Sequence, residues 1–198
     1  KIFIQKTPFE KKYFTIEALG EGTVGIGIPS SASSLKYRKN DEAWIETSEA
    51  IQVSVVANDT IQISCVSDYW GTQCSSRFNI SASFNVYGNI MSLTYNDNFE
   101  NQISLLSKAQ FAALFWESKK LKSAKNLILP ATILTDSCYF RMFRDCNSLT
   151  TAPELPATTL KYSCYNGMFR GCTSLTTAPE LPASDLVELC YMYMFYNC

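Results

Sequence analysis

Residues 138–163 read CYFRMFRDCNSLTTAPELPATTLKYS, and residues 164–189 read CYNGMFRGCTSLTTAPELPASDLVEL. Seventeen of the 26 positions are identical, and Cys138, Cys164 and Cys190 mark the period. A further, partial copy opens with CYMYMFYNC and reaches Cys198. A repeat of this length is one supersecondary unit that cannot bury its own apolar face, so successive copies must stack. The reading is of an extended surface rather than an enzyme pocket.

Within one copy, Cys138, Met142 and Cys146 are spaced i, i+4, i+8, and Tyr139 and Phe143 are spaced i, i+4. This spacing predicts a short helix with one apolar stripe. Asn147-Ser148 reads as a turn and Leu149-Thr-Thr-Ala as a short extended segment. Pro153 and Pro156 then force extended backbone, with Leu155 and Leu160 pointing inward. Each coil is therefore expected to carry a helix on one side and a short strand on the other. The expected core columns are Cys138, Cys164, Cys190; Met142, Met168, Met194; Phe143, Phe169, Phe195; Cys146, Cys172, Cys198; and Leu149, Leu175. Upstream lies a degenerate copy. Leu114-Phe115 aligns with Met142-Phe143, Glu117 with Asp145, Ser118 with Cys146 and Leu121 with Leu149. Two extra residues at Ile128-Leu129 restore the register.

Residues 13–87 carry short β-branched or aromatic runs, several strictly alternating: Ile51, Val53 and Val55 face one way, Gln52 and Ser54 the other. Asn40-Asp41 and Asn58-Asp59 punctuate them as turns. Six to eight such strands predict an antiparallel, immunoglobulin-like β-sandwich. The expected fold class is mixed α/β and multidomain: a β-sandwich over 1–88, then a right-handed α/β solenoid of stacked repeats over 89–198. The second part divides into a capping segment (89–109), repeats at 110–137, 138–163 and 164–189, and a partial copy at 190–198.

The hydrophobic fraction of 46% is that of a folded protein, and the net charge of −1 with scattered Lys and Arg offers no footprint for nucleic acid. No apolar run approaches the roughly 18 residues of a membrane span. The opening KIFIQKTPFEKKYF lacks the apolar core of a signal peptide. There is no histidine, which excludes Ser-His-Asp and Cys-His catalysis, His-ligated zinc and histidine pH switching.

Eight cysteines are present. The repeat pairs stand eight apart, about 12 Å on a helix, too far to bridge within one copy. They read as buried thiols at equivalent core positions, against a metal site or an inter-coil disulfide ladder. Cys65 and Cys74 flank a hairpin and form a candidate disulfide. Gly20-Glu-Gly-Thr-Val-Gly25 matches a glycine-rich phosphate loop, but no partner lysine, catalytic aspartate or following helix accompanies it, so the glycines read as turn residues. Tyr69-Trp70 falls in an expected loop, where exposed rings would stack on sugars or anchor proteins; the alternative is a loop folded back over the sandwich. Glu154 and Glu180 are repeat-equivalent and stack one coil apart; such a repeated charge reads as a solvated face, or, where Pro-Glu lies on the strand face, as part of a polar recognition stripe.

Met168-Phe169-Arg170-Gly171-Cys172-Thr173-Ser174-Leu175-Thr176, with Cys164-Tyr165 before it, resembles the BspA-type leucine-rich repeats of Bacteroides-like gut bacterial surface proteins and their phages. The Ala-Pro-Glu-Leu-Pro-Ala stretch marks a subgroup with a longer period. The resemblance covers roughly residues 89–198. It implies an extracellular or cell-surface protein that binds protein or glycan, with no catalytic residue and no cofactor. The rival expectation is a structural or receptor-binding domain of a phage tail or virion fibre. The last copy stops before its Ser-Leu-Thr segment, so Cys198 is expected not to be a natural end, and self-association through the uncapped copy is a further expectation.

Overall fold

The structure, a computed structural model, describes residues 12–70 and 78–198. The alternating segments form strands β1 (Phe14–Ala18), β2 (Gly22–Ile26), β3 (Leu35–Lys39), β4 (Ile45–Thr47), β5 (Ile51–Val55), β6 (Thr60–Cys65), β7 (Phe78–Ile80) and β8 (Phe84–Asn89). A one-turn helix α1 (Ser92–Tyr95) follows, then the long strand β9 (Leu121–Ile128). Two sheets result, ordered β4-β3-β6-β1-β8-β9 and β5-β2-β7. Their apolar faces meet: Phe14 of β1 lies 5.6 Å from Phe78 of β7, ring centroid to ring centroid. Ile16, Val24, Ile26, Ile61 and Ile63 fill the space between.

Two turns close the sandwich as the Asn-Asp pairs require. Asn40 and Asn58 both have positive φ, at 51° and 72°, a conformation asparagine tolerates well. Asp59 knits the two together, accepting from Asn40 Nδ2 at 2.9 Å, Val56 N–H at 2.9 Å and Lys39 Nζ at 2.8 Å. The Asn40 hydrogen bond, then those from Lys39 and Val56, push its carboxyl down to about 2 from an ordinary value of 3.8. A carboxyl held below its unfolded pKa stabilises the fold fully above that value and loses its contribution as pH falls through the folded one. Asp59→Asn is therefore expected to cost on the order of 2 kcal/mol at pH 7. It should also flatten the fall in melting temperature between about pH 4 and pH 2; an unchanged acid limb would contradict this assignment.

β8 and β9 pair in parallel, with register shifts between Phe84 and Tyr87. β9 belongs to the first repeat copy, so the larger sheet runs directly into the repeats. Ser123 bridges to Thr151 in the next copy, and Thr150 N–H donates to Lys122 C=O at 2.9 Å. The rung thus covers the exposed edge of β8.

The expected α/β solenoid is not what the chain forms. Among the described residues the only α-helix is α1, four residues long and outside the three copies. The segments read as helices are ribbons of consecutive turns. In the second copy Phe140, Met142, Arg144 and Cys146 each donate to the carbonyl three residues back. The alternate N–H groups leave the ribbon and bond to the next copy. Tyr139 N–H donates to Cys164 C=O, Arg141 to Asn166, Phe143 to Met168 and Asp145 to Arg170, at 2.7–3.0 Å. The third copy repeats this through Tyr165, Gly167, Phe169 and Gly171. Every fourth residue has positive φ: Ser137, Arg141 and Asp145, then Ser163, Gly167 and Gly171, then Leu189, Tyr193 and Asn197. A four-residue turn and a 3.6-residue helix give the same i, i+4 apolar spacing, so periodicity does not separate them. Neighbouring copies do, because they supply acceptors that an isolated helix would not need.

The copies stack as rungs. Phe115, Phe143, Phe169 and Phe195 form one aromatic column with centroids 5.3, 5.5 and 5.7 Å apart. Phe111, Tyr139, Tyr165 and Tyr191 form a second. The first column continues into the sandwich, Phe115 stacking on Phe78 at 5.4 Å and Phe78 on Trp70 at 6.0 Å. Leu149, Leu175, Met142, Met168 and Met194 are all buried alongside. The hydroxyls of Tyr139, Tyr165 and Tyr191 are buried with no hydrogen-bond partner among the described residues. Burial, then the neighbouring Cys138, raises the Tyr139 phenol well above its ordinary value. Removing an unpartnered buried hydroxyl removes a desolvation penalty and leaves the ring. Tyr139→Phe is expected to be neutral or to stabilise by about 1 kcal/mol; a measured loss of that size in thermal or urea unfolding would contradict it.

Candidate functional site

The extended side of each rung is set by its two prolines. From Pro153 to Ala157 the backbone alternates: Pro153, Leu155 and Ala157 point in, Glu154 and Pro156 point out. Glu180 occupies the same outward place one rung further on. Threonines precede both, Thr150-Thr151 and Thr176-Thr177, at the positions that β9 fills in the first rung.

These residues line a groove of about 930 Å³ that includes Lys125, Asn126, Thr150, Glu154, Thr176 and Glu180. A second groove of about 880 Å³ adjoins it over the polar outer face of the larger sheet, where Thr15, Gln62 and Tyr87 sit side by side on β1, β6 and β8. Lys125, Asn126, Glu154 and Pro156 line both. The result is one open trough running from the sheet across the rungs, with Glu154 at its midpoint. Its lining offers the ammonium groups of Lys12 and Lys125, carboxylates at rung spacing, hydroxyls, amides and proline faces. This is hydrogen-bonding chemistry spread along a line rather than a convergent catalytic constellation.

The expected sites fall out unevenly. Glu154 and Glu180 meet in this trough. Tyr69 lies elsewhere, half-buried, with its N–H and C=O both tied to the Ser67 hydroxyl. Trp70 is 0% exposed, its indole N–H donating to Leu93 C=O at 2.5 Å. The expectation of an exposed Trp70 is corrected on that ground: the ring completes the sandwich core, and no ligand reaches it. Cys65 donates to Ser34 C=O at 3.4 Å, while Cys74, and with it the candidate disulfide, lies outside the described residues.

Cys138, Cys146, Cys164, Cys172 and Cys190 are free and buried, and Cys198 is free and exposed. The second thiol of each copy has a defined task. Cys146 donates to Phe115 C=O, Cys172 to Phe143 C=O and Cys198 to Phe169 C=O, at 3.0–3.1 Å. Each thiol thus bonds across to the preceding rung. Burial pushes the Cys172 thiol up to about 12 and Cys146 well above its ordinary value, so neither is a nucleophile. Among the described residues no three or more Cys, Asp or Glu are placed to hold a metal ion.

Lys125, Asn126 and Tyr87 are trough residues that the sequence reading missed. A signal exists for Lys125-Asn126, a polar pair between Ala124 and Leu127-Ile128 in the first copy, but nothing local marks β9 as the strand joining sheet to rungs.

The last rung is open. Leu155 is 3% exposed but its equivalent Leu181 is 37%, and Leu160 is 4% against 67% for Leu186. The N–H groups of Leu189, Tyr191, Tyr193, Phe195 and Asn197 stand where earlier rungs donate onward.

No family model, no curated protein and no solved structure matches this chain. Among the described residues no helix is long and apolar enough to cross a membrane.

Proposed function

We propose that the chain is a non-catalytic binding module that holds an extended protein or glycan ligand along the trough centred on Glu154. One observation carries this reading: the two grooves are contiguous and share Lys125, Asn126, Glu154 and Pro156. An extended chain laid there meets polar groups at rung intervals and would be held by many modest contacts. The resemblance of the repeats to BspA-type surface proteins supports a place outside the cell or on its surface.

The test is an array of glycans and extracellular proteins probed with the intact chain, followed by the Glu154→Gln, Glu180→Gln double variant. Both side chains are exposed, so the variant should fold normally and weaken binding of any captured ligand about tenfold or more. A ligand bound equally well by the double variant would place recognition away from the trough and end this reading.

A further inference from the structure

The opposite side of the rungs, where the turns lie, carries a concentration of cations and aromatic rings that the trough does not use. Aligned by the repeat, Trp116, Arg144, Arg170 and Tyr196 occupy one column. Arg141, Gly167 and Tyr193 occupy the neighbouring one. The Arg144 guanidinium stacks on Trp116 at 4.8 Å, and Arg170 lies 5.1 Å from the Tyr196 ring and 5.7 Å from Tyr193. Arg141 lies 4.5 Å from Phe140 and 5.8 Å from Trp116. Gly167 forms the floor between them. A Cβ built on it would lie 3.4 Å from Arg141 Cγ and 3.9 Å from Arg170 Cβ, so both arginine stems cross the same glycine.

Charge on this face is unbalanced. Asp145 pairs with Arg144 at 3.1 Å and also accepts from the Trp116 indole at 3.3 Å. Arg141 and Arg170 have no ion-pair partner among the described residues. The nearest other carboxylate by column is Glu117, one rung toward the sandwich from Asp145. Burial, then the fields of Arg144 and Arg170, lower the Arg141 pKa against the smaller opposing field of Asp145. Like charges on adjacent rungs repel unless a counter-charge is supplied.

We propose that this face is a second binding site, at which Arg141 and Arg170, fixed by Phe140, Tyr193 and Tyr196 over Gly167, take carboxylates from an acidic peptide segment of a protein partner. A guanidinium already lies over the Trp116, Tyr193 and Tyr196 rings, which leaves less ring face for a sugar to stack on. What remains free is the donor edge of each guanidinium, a planar fork that matches a carboxylate with two parallel hydrogen bonds. Tyr193 and Tyr196 are each half exposed, and a patch of Trp, Tyr and Arg has the composition of energetic centres in protein interfaces.

Fluorescence anisotropy with a labelled oligo-glutamate peptide and the intact chain tests this at low salt. Binding is expected, weakening as salt is raised. It should fall about tenfold or more in Arg141→Gln, Arg170→Gln and stay unchanged in Lys161→Gln, which removes one charge from another part of the surface. Arg141→Lys, Arg170→Lys keeps the charge and loses the fork, so it should bind several-fold more weakly than the parent. This pair also decides the matter if the glutamine variant melts early. The proposal is overturned by no binding at low salt, by equal binding in the glutamine pair, by full affinity in the lysine pair, or by capture of a sulfated polysaccharide with no affinity for the peptide. Because Glu154 and Glu180 take no part here, failure of this site leaves the trough reading untouched.

Discussion

Phe143→Ala should destabilise the chain by about 3–5 kcal/mol, toward the upper end of what truncating a buried aromatic costs. The ring is fully buried and lies between Phe115 at 5.3 Å and Phe169 at 5.5 Å, nearly parallel to both. Truncation removes the stacking partner of two rungs at once. The rungs cannot close the gap, because Phe115 N–H donates to Met142 C=O and Phe143 N–H to Met168 C=O, each at 2.9 Å, and these bonds fix their spacing. A site that cannot collapse keeps its cavity, and the cavity sets the cost. In a stacked architecture the damage is also directional, since each rung contacts mainly its neighbours. The rungs after 143 should lose hydrogen-exchange protection before β1 and β6 do. Phe195→Ala, on the half-exposed last rung, should cost less than half as much. Urea unfolding of the two variants side by side checks this; equal losses would mean that the column is not an energetic unit.

Gly88→Ala should be at least as severe, above about 3 kcal/mol and enough to reduce accumulation of folded protein. Gly88 has φ +80°, where a side chain is strained, and an added Cβ would overlap the carbonyl oxygen of Tyr13. That carbonyl has little room to retreat. Asn89 N–H bonds to Lys12 C=O at 2.8 Å, the Tyr13 ring sits 4.8 Å from Trp44 and 4.9 Å from Phe99, and its hydroxyl donates to Asp97 at 2.7 Å. Gly88 also pairs with Leu127 across the β8–β9 junction. The substitution therefore strikes where sheet and rungs are joined. Circular dichroism and thermal unfolding of the purified variant measure the effect. A melting temperature within a few degrees of the parent would show that this approach is softer than its geometry implies.

Much of this architecture could be read before any coordinates. The alternation of Ile51, Val53 and Val55 and the turn chemistry of Asn40 and Asn58 place strands and reversals, because strand period and left-handed turns are local properties of backbone and side chain. The repeat places Phe143 over Phe169 and Met142 over Met168, because identical units stacked in register put identical residues in columns. The helix reading of 138–146 failed for a reason that is also local. Turns of four residues and helical turns space apolar side chains alike, and only the partners of the alternate N–H groups tell them apart. A warning was present in Gly167 and Gly171, two glycines four apart where a helix would be weakened.

What the amino-acid order determined by itself was the period, the identity of the buried columns and the alternating strands, since these follow from hydrophobic spacing along the chain. Tertiary structure alone decided three other features: the burial of Trp70 against Phe78, the meeting of Lys125 with Glu154 and Glu180 in one trough, and the convergence of Arg141 and Arg170 over Gly167. Each depends on hydrogen bonds or packing between different segments of the fold, as the Trp70 indole N–H does on Leu93 C=O, and no local pattern encodes which group will supply the missing partner.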